Sequence, residues 1–103
     1  MWIVDFLANA EGFDWDEGNS DKNRRRHDVS DGECEEIFFN SPLLLADDAK
    51  HSEIEERVFA FGVTNTARSL TVVFTMREKL IRVISARDMS RKERRVYATH
   101  FAQ

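Results

Sequence analysis

His27 stands at the end of a run of cations, Lys22, Arg24, Arg25 and Arg26. A histidine so placed can act as a general acid or base beside bound negative charge. A second basic run, "RVISARDMSRKERR" at 82–95, holds Arg82, Arg87, Arg91, Lys92, Arg94 and Arg95. Between the two runs, arginines mix with aromatics in strand-like stretches: Arg57 precedes Phe59, Phe74 precedes Arg77, and Arg82 follows. An arginine among aromatics on a strand can hold a phosphate while a base stacks alongside. The chemistry on offer is anion binding with one group that titrates near neutral pH.

Each of these residues also has a purely structural use. Trp15, Asn19, Asn23 and His27 recur at every fourth position, so from Asn19 onward they share a helical face with almost nothing apolar to bury. Asn19 and Asn23 then make structural hydrogen bonds, and His27 caps the helix C-terminus. Arg57 can equally pair with Glu53 or Glu56 of the acidic stretch before it. Other chemistries lack their signatures. His27, His51, His100 and Cys34 show no metal-ligand spacing, and the four glycines are scattered singly. No Gly-x-Ser-x-Gly elbow appears. Neither a metal site nor a cofactor is expected.

The net charge of −4 conceals a division. Residues 1–56 carry sixteen Asp and Glu against five Lys and Arg, whereas residues 57–103 carry three against ten. A positive half can hold an anion even in an acidic chain, or the halves can neutralise each other on folding. With 103 residues, 42% of them hydrophobic, the chain suits one small core. Cys34 alone cannot form an internal disulfide, which favours a reducing compartment. The apolar "WIVDFLA" is too short to span a membrane, and no basic segment precedes it, so the expected location is the cytoplasm.

Residues 1–12 read as an extension ahead of a single domain, 13–103. "FDW" at 13–15 reads as a short strand, and the polar stretch from Asp16 to about His27 as a helix. "SDGE" at 30–33 is a capping box, and Cys34, Ile37 and Phe38 give the helix after it an apolar face ending near Phe39. After "NSP" come "LLLA", a charged loop over 47–56, and three β-rich runs at 57–63, 70–76 and 80–86. Short loops between the runs predict an antiparallel meander. A second capping box, "SRKE" at 90–93, opens a C-terminal helix with Val96, Tyr97 and Phe101 on one stripe. The order predicts an α+β fold: an antiparallel β-sheet, two N-terminal helices and one C-terminal helix. A hairpin turning near Glu78 would pair Phe74 with Arg82 and Thr75 with Ile81, and a similar pairing of the preceding hairpin would set Arg57 near Met76. Arg57, Phe59, Phe74 and Arg82 would then share one face, and Thr75, Arg77, Ser85 and Arg87 the other; a one-residue slip exchanges these sets. Arg91, Lys92, Arg94 and Arg95 oppose the helix dipole, which favours anions at an N-terminus, and so point to an outside anion.

"FDWDEGN", "DKNRRRH", "DDAKHSEIEER" and "IRVISARDMSRKERRVY", in this order and spacing, resemble the BrnT toxins of bacterial type II toxin–antitoxin systems. The resemblance runs from about Phe13 to Tyr97, and "ISAR" followed by "SRKER" is its most specific part. It implies a RelE-like fold and a metal-independent endoribonuclease that cleaves RNA and inhibits translation. It also implies a BrnA-type antitoxin, which binds the toxin as a heterotetramer and reaches operator DNA through its own domain. Two positions depart from the family pattern. A common lysine is Asn19 here, leaving Lys22 as its nearest substitute, and a usual glycine is Asp28. Carried over, the resemblance makes His27, Arg57, Arg77 and Arg87 the candidate catalytic residues. Lys22, Arg82, Arg91 and Arg94 are the candidate RNA-binding residues. The rival expectation is an inactive module that only binds an antitoxin. A DNA-binding repressor is disfavoured because no helix-turn-helix pattern is visible.

Overall fold

The computed structural model of the protein describes residues 7, 9–48 and 56–101. Strand β1 (Gly12–Phe13) is followed by helices α1 (Lys22–His27) and α2 (Asp31–Phe39). Strands β2 (Leu44–Asp47), β3 (Val58–Val63), β4 (Ser69–Arg77) and β5 (Leu80–Asp88) form the meander, and α3 (Arg91–Phe101) closes the chain order. The sheet order is β1-β5-β4-β3-β2. All neighbours are antiparallel except β1, which runs parallel to β5. This is the α+β arrangement expected, with two helices before the meander and one after it. No described helix is long and apolar enough to cross a membrane.

The core follows from alternation along the strands. Val58 and Ala60 of β3, Leu70, Val72 and Phe74 of β4, and Ile81, Val83 and Ala86 of β5 are all buried. Cys34 and Ile37 of α2, with Val29 just before it, close over them. Each fully buried aliphatic or aromatic side chain stabilises the fold by roughly 1.5–3 kcal/mol. Phe38 meets Phe74 edge to face, with centroids 5.2 Å apart and planes at 87°. Gly62 sets how closely α2 lies on β3, since a Cβ there would come within 3.0 Å of Ile37 Cβ. Ser30 caps α2 with the reciprocal Ser30–Glu33 bonds its sequence foretold.

Three local expectations shift. The polar stretch from Asp16 is helical only over α1. Asp16 Oδ1 accepts from the Gly18 amide and Asn19 Oδ1 from the Asp16 amide, a local turn that ends at Asp21, whose φ of 63° separates it from α1. The first strand is Gly12–Phe13 instead of 13–15. The β4–β5 hairpin turns through two residues, Glu78 and Lys79, with Arg77 opposite Leu80. Glu78 takes a φ of 59°, the left-handed conformation such loops demand, without the Asn-Gly or Asp-Gly that usually announces it.

The tighter turn moves the register by one residue. Phe74 pairs with Val83, and Thr75 with Arg82. Val58 pairs with Phe74, which sets Arg57 beside Thr75 instead of Met76. The two expected sets merge instead of exchanging: Phe74 enters the core, and Arg57, Phe59 and Arg82 fall on the alternation of Thr75. Thr75, Arg77, Ser85 and Arg87 do share an alternation, because the bulge between Val73 and Phe74 takes up Ile84. Leu7 and Ala10 of the expected N-terminal extension pack against the core. The rest of that extension (1–6 and 8), and His51 and Glu53 of the charged loop, lie outside the described residues.

Candidate functional site

Two asparagines lay α1 along β5. Asn19 Nδ2 donates to the carbonyls of Asp14 and Val83, both at 3.0 Å, and Asn23 Oδ1 accepts from the Ala86 amide at 2.9 Å. Both side chains are buried, so the structural reading of these residues is the one realised. Lys22, half-buried, opens the same helix. At the other end Asp28 adopts φ 55°, with its amide and that of Val29 bonded back to Arg24 and Asn23. Aspartate is among the few residues other than glycine that tolerate this conformation.

His27 is exposed at the end of α1, and Arg68, not the His27 ring, takes the terminal carbonyls. Arg68 donates from Nη1 to the Asp28 carbonyl at 2.7 Å and from Nη2 to that of His27 at 3.2 Å. Its Nε and Nη2 meet the Asp88 carboxylate at 2.7 and 3.0 Å, and Nη1 lies 3.3 Å from Glu33. One guanidinium thus ties together the end of α1, the start of α2 and the end of β5. Asp88 is held below its usual pKa by the Arg68 hydrogen bonds first, and by the charges of Arg94 and His27 as well. His27 and Arg94 therefore come together around Asp88. Nothing in the sequence marks Arg68, which sits in the loop "TNTARS" and reads as a turn residue.

Arg87 is on the opposite alternation from Asp88. Its Nη1 and Nη2 meet Glu93 at 2.7 and 2.9 Å, a bidentate pair between β5 and α3. Glu93 also accepts from Thr71 Oγ1 at 3.0 Å and from the Ser90 amide at 2.8 Å, closing the second capping box. The Arg87 hydrogen bonds, aided by Ser90 and Thr71, hold the Glu93 carboxyl down to about 2 against the opposing effect of burial. Arg94 donates to the Met89 carbonyl at 2.8 Å, and Arg91 stands exposed beside it.

The remaining candidates sit at the other end of the sheet. Arg82 is clamped by Asp16 at 2.9 and 3.0 Å and lies 3.5 Å from Asp14. Arg77 is near enough to help lower the pKa of Asp16, though Arg82 dominates that shift. Arg57 begins the same outer alternation at Thr75. Arg87 faces Thr71, six residues from Arg77, so the two arginines are about 20 Å apart along β4. The four candidate catalytic residues thus divide: His27 and Arg87 near the β5–α3 corner, Arg57 and Arg77 at the far end. Between the ends lie Phe59 and Phe61, partly exposed and stacked on each other at 5.9 Å and 18°.

Burial pushes the Cys34 thiol up to about 12, with Asp31, Glu33 and Glu35 adding to the shift, so it stays protonated and unreactive. Among the described residues, no three His, Cys, Asp or Glu side chains are grouped to hold a metal ion.

No curated protein matches the chain. The family model described as the ribonuclease toxin BrnT of type II toxin–antitoxin systems matches residues 15–93. That span begins at Trp15 and takes in the asparagine-pinned helix, the whole meander and the Arg87–Glu93 pair. The chain belongs to the BrnT family of ribonuclease toxins.

Proposed function

We propose that the protein is a metal-independent endoribonuclease of the cytoplasm, which inhibits translation by cutting RNA and is neutralised by a BrnA-type antitoxin. Toxin and antitoxin form a heterotetramer, and operator DNA is bound only through the antitoxin. A RelE-like classification is compatible with the five-stranded sheet and three helices. The observation that carries the reading is the corner where α1 ends and α3 begins. There His27 and Arg94 each lie near enough to Asp88 for their charges to act on it, and Arg24, Arg25, Arg26 and Arg91 are exposed on the same two helices.

In metal-free cleavage the 2′-hydroxyl attacks its own phosphate, the P–O5′ bond breaks to leave a 2′,3′-cyclic phosphate, and the departing 5′-oxygen takes a proton from solvent. His27 takes the hydroxyl proton, a contribution of roughly 10²–10⁴-fold. Arg94 and Arg91 stabilise the charge that gathers on the non-bridging oxygens. Arg87, its guanidinium oriented by Glu93, holds a neighbouring phosphate. Arg57 and Arg77, about 20 Å away along β4, hold more distant ones, with Phe59 and Phe61 as a stacking surface between. Arg82 contributes least because two carboxylates already take its charge. Lys22 contacts the backbone beside α1.

The test is cleavage of total RNA against pH by the chain and by His27→Gln. The wild type gives a pH optimum near neutrality, and the variant loses that optimum along with at least about 100-fold in rate. An unchanged profile assigns His27 to structure. A wild-type chain that cuts nothing yet still binds its antitoxin is the inactive module.

A further inference from the structure

Helix α3 lies across the outer face of the sheet, held there by Glu93 to Arg87 and Thr71 and by the Tyr97 hydroxyl donating to the Pro42 carbonyl. None of its described side chains is buried. Val96, on the apolar stripe read from the sequence, is 48% exposed. Beneath it a cleft of about 600 Å³ separates α3 from β2 and β3. Leu44, Ala46 and Phe61 form its sheet wall, and Lys92, Val96 and Tyr97 its helix wall. The walls are apolar, and Lys92 is the cation of the rim. Lys92 and His100 line it, and Glu93, the one carboxylate there, is already taken by Arg87 and Thr71.

We propose that this cleft seats an acidic, amphipathic helical segment of the antitoxin. This rests on the reading of the chain as a toxin neutralised by a protein partner. Charge decides the occupant. Arg91, Lys92, Arg94 and Arg95 crowd the first two turns of α3 with only Glu93 among them, where the helix dipole itself repels cations. A second copy of the chain would bring the same cations against themselves, whereas an acidic helix relieves them. From Lys92 to His100 the cleft runs about 12 Å along α3, which is two turns of a docked helix. The occupant therefore presents apolar residues at i, i+3 or i+4, and i+7 to Leu44, Phe61 and Val96, with carboxylates toward Lys92 and His100. Seated there, it lies beside the Glu93–Arg87 pair, so it competes with RNA for one end of the outer face.

The test uses the full chain and the antitoxin encoded with it, with affinity measured by calorimetry at two salt concentrations. Val96→Glu places a carboxylate in the cleft at an exposed position, and Lys92→Glu reverses one rim charge. Arg25→Glu makes the same charge change as Lys92→Glu on α1, away from the cleft. Val96→Glu weakens antitoxin binding about 100-fold and Lys92→Glu about tenfold with a shallower salt dependence, while Arg25→Glu binds within about twofold of wild type. Circular dichroism of all three free variants and RNA cleavage by free Val96→Glu stay at wild-type levels. Wild-type affinity in both cleft variants overturns the proposal. So does a free wild-type chain that sediments as a dimer and becomes monomeric with Val96→Glu, since a second copy then fills the cleft. If the wild type cuts no RNA but the cleft variants still lose the antitoxin, the docking site stands and the nuclease reading falls.

Discussion

Arg68 shows how much of the site rests on one side chain outside it. Its guanidinium bonds the Asp88 and Glu33 carboxylates and two carbonyls at the end of α1. Removing it leaves the partly buried Glu33 and the exposed Asp88 without their cation and two helix-end carbonyls open. Arg68→Ala is expected to destabilise the fold by about 2–3 kcal/mol, measured by urea unfolding. Arg68→Lys should recover less than half of that, because an ammonium cannot fork between the groups. Glu93 makes a second residue-scale prediction. Its folded pKa of about 2 lies below the ordinary carboxyl value of 4.5, so the ionised form favours the folded state. That contribution is complete above pH 4.5 and disappears as pH falls through about 2. The stability advantage of the wild type over Glu93→Gln should be about 2–3 kcal/mol at pH 6 and vanish near pH 2. A gap independent of pH would remove the charge from the explanation. The sequence exposed Glu93 only as half of a capping box, because its partners Arg87 and Thr71 come together through strand pairing. Arg68 was invisible for the same reason: all its partners are distant in sequence.

At the scale of elements, local signals were the legible ones. Both capping boxes form, and the apolar i, i+3, i+4 spacing of Cys34, Ile37 and Phe38 turns inward as read. What failed was the register of β4 with β5, where a two-residue turn at Glu78–Lys79 replaced a longer one. Turn length is poorly encoded when a glutamate supplies the positive φ, and one residue suffices to move Phe74 from the expected shared face into the core. Helix α1 likewise began six residues late, since Asp16 and Asn19 bond nearby amides. The end of α1 offers a direct test of backbone strain. Asp28 occupies a left-handed conformation at φ 55°, so Asp28→Gly should leave stability unchanged or raise it by up to about 1 kcal/mol. Asp28→Val should lower it by about 1–2 kcal/mol, since a β-branched residue resists that conformation. Equal melting temperatures for the two variants would show that the conformation is not what holds aspartate there.

Across the whole molecule, the division of charge seen in the sequence is resolved in space by pairing some arginines and leaving others open. Arg68 and Arg82 are taken up by Glu33, Asp88, Asp14 and Asp16, mostly acids of the N-terminal half, and Arg87 is oriented by Glu93. The cations at the start of α3 and along α1 remain exposed and flank His27. The two halves thus neutralise each other at structural positions, as one reading of the charge expected, and leave one exposed positive corner. The most direct measurement is incubation of the purified chain with total RNA in EDTA, with and without the antitoxin encoded beside it. Fragments should appear in chelator alone and cease when the antitoxin is added at equimolar concentration. RNA left intact in chelator but cut once a divalent ion is restored would contradict a mechanism built on His27 and arginines.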